Sequence, residues 1–127
     1  MYLKKMLDEI LTPEERAVVA RARAFAEEHV APNAARWEWE RRYPLETIKA
    51  ACAIGLNTIE LAKKHGGQGL SFSCKLRAFE EIARHDFAFA FALINHHNAC
   101  ARFARDGQPA HVARLLPRML TGDLIGC

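Results

Sequence analysis

His96 and His97 are the residues whose type most readily does chemistry, since imidazole ligates metals and moves protons near neutral pH. Their spacing argues against both. Adjacent residues on a helix point about 100° apart, so one metal ion cannot easily take both rings. Di-metal sites in helical bundles need Glu-x-x-His, which puts both ligands on one face, and none of the six histidines has a glutamate three positions earlier. HExxH is also absent. The expected role of the pair is hydrogen bonding to helix neighbours or to an adjoining domain.

Glu80 and Glu81 have the chemistry of a general acid and base, but neighbours on a helix diverge and no nucleophile accompanies them. Glu81 and His85, at i and i+4, are expected to form a local helix pair. Gly66-Gly67-Gln68-Gly69 falls short of both phosphate-binding fingerprints: Phe72 occupies the third glycine's place in GxGxxG, and no GKS or GKT follows. The glycines say only that the backbone turns tightly. Cys52, Cys74, Cys100 and Cys127 lie far apart without a CxxC pair, as expected of reduced thiols in a cytoplasmic chain.

Composition excludes more functions than it suggests. A formal net charge of +3 is too slight to argue for nucleic acid. The most basic stretch, Arg102, Arg105, Arg114 and Arg118, has no interleaved aromatic platform and is expected to be a solvated helix face. No window approaches the ~20 consecutive apolar residues of a membrane span, so neither nucleic acid nor membrane is an expected partner. With 127 residues, half of them hydrophobic, the chain can build one real core.

The elements that would position these residues are helices. Thr12-Pro13-Glu14-Glu15 is a helix start, with a hydroxyl to cap, a proline tolerated in the first turn and a glutamate to close the capping box. After it, Val18, Ala22, Phe25, Ala26 and His29 share one face. Pro32 interrupts, and Asn33 is expected to cap a continuation through Trp37 towards Arg42. Pro44 opens a helix with Leu45, Ile48 and Cys52 on one face, and Gly55 stops it. The stretch from Gly55 to Leu70 reads as a connector with one helical turn at most. Ser71 or Ser73 caps a helix with Phe72, Leu76, Phe79 and Ala83 on one side. Asp86 caps the most apolar segment, Phe87 to Ile94, which leads on to Phe103 before Gly107 stops it and is expected to be central and covered on several sides. A last helix follows Pro109, with Val112, Leu115, Leu116 and Met119 aligned. The expected fold is all-α, an orthogonal or up-down bundle of five or six helices. Leu124-Ile125-Gly126-Cys127 reads as an apolar, strand-like end that continues into something else.

Taken in order along the chain, these motifs resemble the N-terminal helical domain of the acyl-CoA dehydrogenase family. The resemblance is carried by Leu11-Thr12-Pro13-Glu14-Glu15, Ala31-Pro32, Gly55-Leu56 ahead of Gly66-Gly67-Gln68-Gly69-Leu70-Ser71, and Glu80-Glu81-Ile82-Ala83-Arg84 with Asp86. Gly107, Leu116-Pro117 and Thr121-Gly122-Asp123-Leu124-Ile125-Gly126-Cys127 complete it. In one departure, Ala62 to His65 stand where the family usually has a proline and a tyrosine or phenylalanine before the glycine cluster.

The resemblance implies a helical domain over residues 1–122, with 123–127 opening the first strand of a middle β-domain that this stretch lacks. It implies an FAD enzyme that oxidises an acyl-CoA thioester across its α and β carbons and passes electrons to an electron-transfer acceptor. The catalytic carboxylate and the flavin-contacting segment would lie outside these residues, so no catalytic, cofactor-binding or metal-binding residue is expected here. The fragment is expected to be inactive alone and to self-associate through apolar faces, or to form a homo-oligomer. In the family, the helix corresponding to Asp86 through Arg105 lines the acyl cavity. On it Phe87, Ala90, Phe91, Ile94 and Asn98 fall at i, i+3, i+4, i+7 and i+11. Ala90, Phe91 and Ile94 are expected to face the acyl chain, with Phe87, Asn95 and Asn98 near its ends. The bulk of Phe91 leans towards short or branched acyl groups. Two other readings stand: a non-catalytic helical interaction module, and a flavin monooxygenase or nitroalkane-oxidase relative on the same fold.

Overall fold

The structure, a computed structural model, describes residues 2–127. Seven α-helices follow one another: α1 (Tyr2–Ile10), α2 (Pro13–Phe25), α3 (Ala34–Glu40), α4 (Leu45–Ala53), α5 (Phe72–Ala83), α6 (Phe87–Asp106) and α7 (Pro109–Leu120). No strand occurs among the described residues. The all-α expectation holds, with more helices than the five or six expected. The addition is α1, which lies ahead of the Thr12 cap.

Local chemistry sets most helix ends where the sequence puts them. Thr12 Oγ1 accepts from the Glu15 amide at 3.2 Å while the Glu15 carboxylate accepts from the Thr12 amide at 3.0 Å, the reciprocal capping box. Ser71, rather than Ser73, caps α5 by accepting from the Cys74 amide. Asp86 caps α6 by accepting from the Phe89 amide at 2.9 Å. Gly55 takes the left-handed conformation (φ +82°) that ends α4. Asn33 differs from expectation: its side chain makes no cap and instead donates to the His29 carbonyl and accepts from Arg36.

The packing is centred on α5, which lies against α2, α6 and α1, while α7 packs on α6. The main core joins Val18, Ala22 and Phe25 of α2 to Ala78, Phe79 and Ile82 of α5 and to Phe89, Ala90 and Leu93 of α6. A smaller cluster of Leu61, Cys100, Ala104 and Leu116 binds α7 and the connector to the second half of α6.

Four expected faces are corrected. On α5 Phe79 is inside and Ala83 packs against the core as expected, but Phe72 and Leu76 point to solvent; Cys74, Lys75, Ala78 and Ile82 share the inward face, where small residues let α2 and α6 approach closely. Past Phe25, a π-helical turn over Ala26–Val30 adds a residue to the repeat, so Val30 rather than His29 is buried. Leu45 is exposed at the start of α4 while Ile48 and Cys52 are inside. Finally, α6 is not covered on all sides, since Phe87 and Phe91 on its first two turns are exposed.

Glu81 is corrected as well. It does not pair with His85. Buried at 2% exposure, it accepts from Arg77 (2.9 Å), Arg23 and Arg84, and Lys4 of α1 lies 3.3 Å away. Arg77, fully buried, also donates to Asp8 of α1 at 2.8 Å and pairs with Glu80. This network pins α1 and α2 onto α5.

Candidate functional site

The outer face of α6 is the candidate site, and its two ends differ in chemistry. Twenty residues make α6 about 30 Å long. With the Asp86 cap fixing the phase, Phe89 and Leu93 turn into the core, and Phe89 stacks on Trp37 at 5.4 Å between ring centroids. Phe87 and Phe91 turn out and stack on each other at 6.1 Å. They are 72% and 56% exposed, large apolar side chains left in water.

Of the other strip residues, Ala90 is only 5% exposed and packs in the core behind the two phenylalanines. Ile94 is half-buried against the same core, and Asn95 beside it is half-buried too. Asn98 is exposed at the far end, where its Oδ1 accepts from Lys75 Nζ at 3.2 Å. Lys75, itself buried, forms an ion pair with Glu60 and lies over the Phe72 ring. The strip thus starts as exposed aromatic surface and finishes at a tethered, charge-compensated polar group. Sequence spacing brings Phe87, Phe91, Ile94 and Asn98 to one side of α6 and leaves out Lys75 and Glu60, because nothing local signals a contact across 23 or 15 residues.

Beside the head of the strip is an open groove of about 840 Å³ between α3, the α3–α4 loop and α6. Phe87, Ala88 and Phe89 form one wall and Trp37, Tyr43 and Pro44 face them, with Arg41 and Arg42 at the rim. Arg41 ends α3 in the left-handed conformation (φ +50°), which turns the chain along this groove.

Both histidines are fully buried on the other sides of α6. His97 Nε2 accepts from the Glu60 amide at 3.2 Å, and its ring meets Phe79 edge-on. Burial, helped by the Lys75 charge, pushes its pKa down to about 4, so the ring is neutral near pH 7. His96 bonds to backbone at the end of α7 and beyond. Both rings hydrogen-bond, but their backbone partners lie in the connector and at and beyond the end of α7, within this domain and not along α6. No cluster of three metal-ligating side chains occurs among the described residues. Arg102, Arg105, Arg114 and Arg118 are all exposed.

The glycine loop is closed on itself. The amides of Gly67, Gln68 and Gly69 donate to the carbonyls of Ala62, Thr58 and Leu61, and Leu70 donates to Ile59. Gln68 Nε2 donates to the Gly55 carbonyl at 2.7 Å. The amides that would cradle a phosphate are already used. No helix among the described residues is long and apolar enough to cross a membrane.

Residues 12–123 match the family described as acyl-CoA dehydrogenase, N-terminal domain. Among curated relatives, a probable acyl-CoA dehydrogenase, fadE25, of Mycobacterium leprae is 37% identical over 76 residues, 60% of this chain and 20% of the relative. The mitochondrial isovaleryl-CoA dehydrogenase of Oryza sativa is 29% identical over 105 residues, 80% of this chain and 26% of that protein. A crystal structure of a probable acyl-CoA dehydrogenase from Mycobacterium abscessus superposes with a TM-score of 0.79 at 31% identity, covering 90% of this chain and 31% of that one. The chain therefore spans between a fifth and a third of the length of these proteins. Its fold, the order of its motifs and the family match over 112 of its 127 residues agree, and the chain belongs to the acyl-CoA dehydrogenase family through its N-terminal helical domain.

Proposed function

We propose that this chain is the N-terminal domain of a flavin-dependent oxidoreductase acting on an acyl-CoA thioester, and that the outer face of α6 is a wall of its acyl pocket. The observation that carries this reading is the pair Phe87 and Phe91, left open to water on a helix whose other sides are buried. Uncovered aromatic surface of this kind marks an interface or a ligand. Phe91 and Ile94 line the acyl chain, with Ala90 behind them setting the depth of the wall. Phe87 and Asn95 stand near its ends, and Asn98, held by Lys75, closes the strip with a polar group.

In the complete enzyme FAD would supply the hydride acceptor for the β carbon. The glycine-rich loop does not fit the cofactor's phosphates, because its amides are bonded internally. The flavin, the catalytic carboxylate and the contacts to an electron-transfer acceptor belong to polypeptide beyond this domain, and residues 123–127 lead into the middle β-domain. What this chain supplies is shape and dryness, since an apolar wall excludes water from the reacting carbons. The buried free thiols of Cys52, Cys74 and Cys100 accord with a reduced, cytoplasmic setting.

The test is Phe91→Ala in the complete enzyme. Removing the ring should shift acyl preference towards longer chains, read as kcat/KM across a chain-length series, and an unchanged profile overturns the pocket assignment. The 127-residue chain should show no flavin binding in a fluorescence titration, and submicromolar affinity would contradict the placement of the cofactor site elsewhere.

A further inference from the structure

His96 is fully buried, and both of its ring nitrogens meet backbone at the far end of the chain. Nε2 lies 2.8 Å from the Met119 carbonyl oxygen, and the Gly126 amide nitrogen lies 3.0 Å from Nδ1. A carbonyl only accepts and an amide N–H only donates. The two partners therefore admit one state of the ring: neutral, with the proton on Nε2 and a bare Nδ1. The other neutral tautomer would lose both bonds, and an imidazolium would set N–H against N–H at Gly126. Burial also lowers the His96 pKa, which favours the neutral ring.

We propose that His96 is a positioning residue, a two-sided clasp on α6 that fixes both the end of α7 and the path of residues 124–126. Independent geometry supports it. A Cβ on Gly126 would come within 2.5 Å of Ala99 Cβ and 3.2 Å of Met119 Cε, so the chain lies against α6 more closely than any side chain permits. Ile125 packs against the main core. His96 stands nine positions after Phe87 on α6, which at 100° per residue puts it half a turn from the strip of Phe87, Phe91 and Asn98. One helix thus presents the apolar strip on one side and grips the departing chain on the other, so whatever follows Gly126 is launched at a set place relative to that strip. The clasp does not depend on which reaction the complete protein performs.

Amide exchange in D2O, followed by NMR in the 127-residue chain, tests it with two variants. His96→Gln keeps one donor and one acceptor, while His96→Leu keeps comparable bulk with neither. Gly126 should be protected in the parent and in His96→Gln, and its protection should fall about tenfold in His96→Leu. The Phe89 amide is the control, because it donates to the Asp86 carboxylate at 2.9 Å at the opposite end of α6. Equal protection of Gly126 in all three proteins, or parallel loss at Phe89, overturns the clasp. Should His96→Leu fail to fold, the ring 15N shifts of the parent decide: a protonated Nε2 with a bare Nδ1 upholds the proposal, and any other state sinks it.

Discussion

The inner face of α5 and the outer head of α6 reverse the usual arrangement of protein interiors and surfaces. On α5, Arg77 and Glu81 are buried and surrounded by Asp8, Glu80, Arg23, Arg84 and Lys4. On α6, which begins six residues after Glu81, Phe87 and Phe91 stand in water. Charge goes inside where every group finds an opposite partner, because an unpaired ion there would cost several kcal/mol. The Phe87 and Phe91 rings stay outside, where no element among the described residues covers them. The α5 charges are therefore matched within this domain, whereas the α6 face leaves two aromatic rings exposed.

The sharpest way to break that contrast is to compare two phenylalanines on α6. Phe89, 2% exposed and stacked on Trp37, should cost about 3–5 kcal/mol when replaced by alanine, read from denaturant unfolding. A loss below about 1 kcal/mol would mean that the core is not organised around it.

Next comes the ionic network. Glu81→Ala leaves Arg77 and Arg23 short of their shared carboxylate and should cost about 3 kcal/mol in the same measurement. Burial pushes the Glu81 carboxyl up, but the Arg23 and Arg77 guanidiniums outweigh it and hold the pKa at about 2, against 4.5 for the free group. Its folded pKa is depressed, so its stabilising contribution is complete above about pH 4.5 and is lost as pH falls towards 2. Glu81→Gln should flatten that acid limb of the thermal midpoint; an unchanged acid profile would show that another carboxylate governs it.

The smallest expected effect on stability is at Phe91. Phe91→Glu should change unfolding free energy by no more than about 0.5 kcal/mol, since the ring is exposed. It should nevertheless reduce self-association of the isolated domain in light scattering, because it puts charge into the uncovered patch. A parent chain that is cleanly monomeric at high concentration would remove the case for that patch as an interface.

How far the sequence could be read follows from the range of the forces involved. Thr12 with Glu15, Ser71 with Cys74 and Asp86 with Phe89 are contacts across three residues, so residue type and spacing suffice to place them. The strip on α6 was legible for the same reason, as helical geometry alone puts Phe87, Phe91, Ile94 and Asn98 on one side. Its exposure was not. Eight apolar residues from Phe87 to Ile94 read as a helix wanting cover on all sides, and only the positions of α2, α3 and α5 show which side lacks it. Periodicity puts Phe72 and Leu76 inside α5 because they are larger and more apolar than Cys74 and Ala78, and the structure puts them outside. Close approach by two neighbouring helices selects for small size. Nor could Glu60, Lys75 and Asn98 be grouped, since they come from three separate elements.

By itself, then, the amino-acid sequence determined that the chain is helical, where most helices begin and stop, and, where the helix is unbroken, which residues align along it. Those properties rest on hydrogen bonds and steric limits spanning three or four residues. Tertiary structure alone decided that Arg77 and Glu81 go inside, that Phe91 stays out, and that His96 grips Gly126. Burial and ion pairing depend on which distant groups arrive at the same place, and only the assembled packing of the helices supplies that.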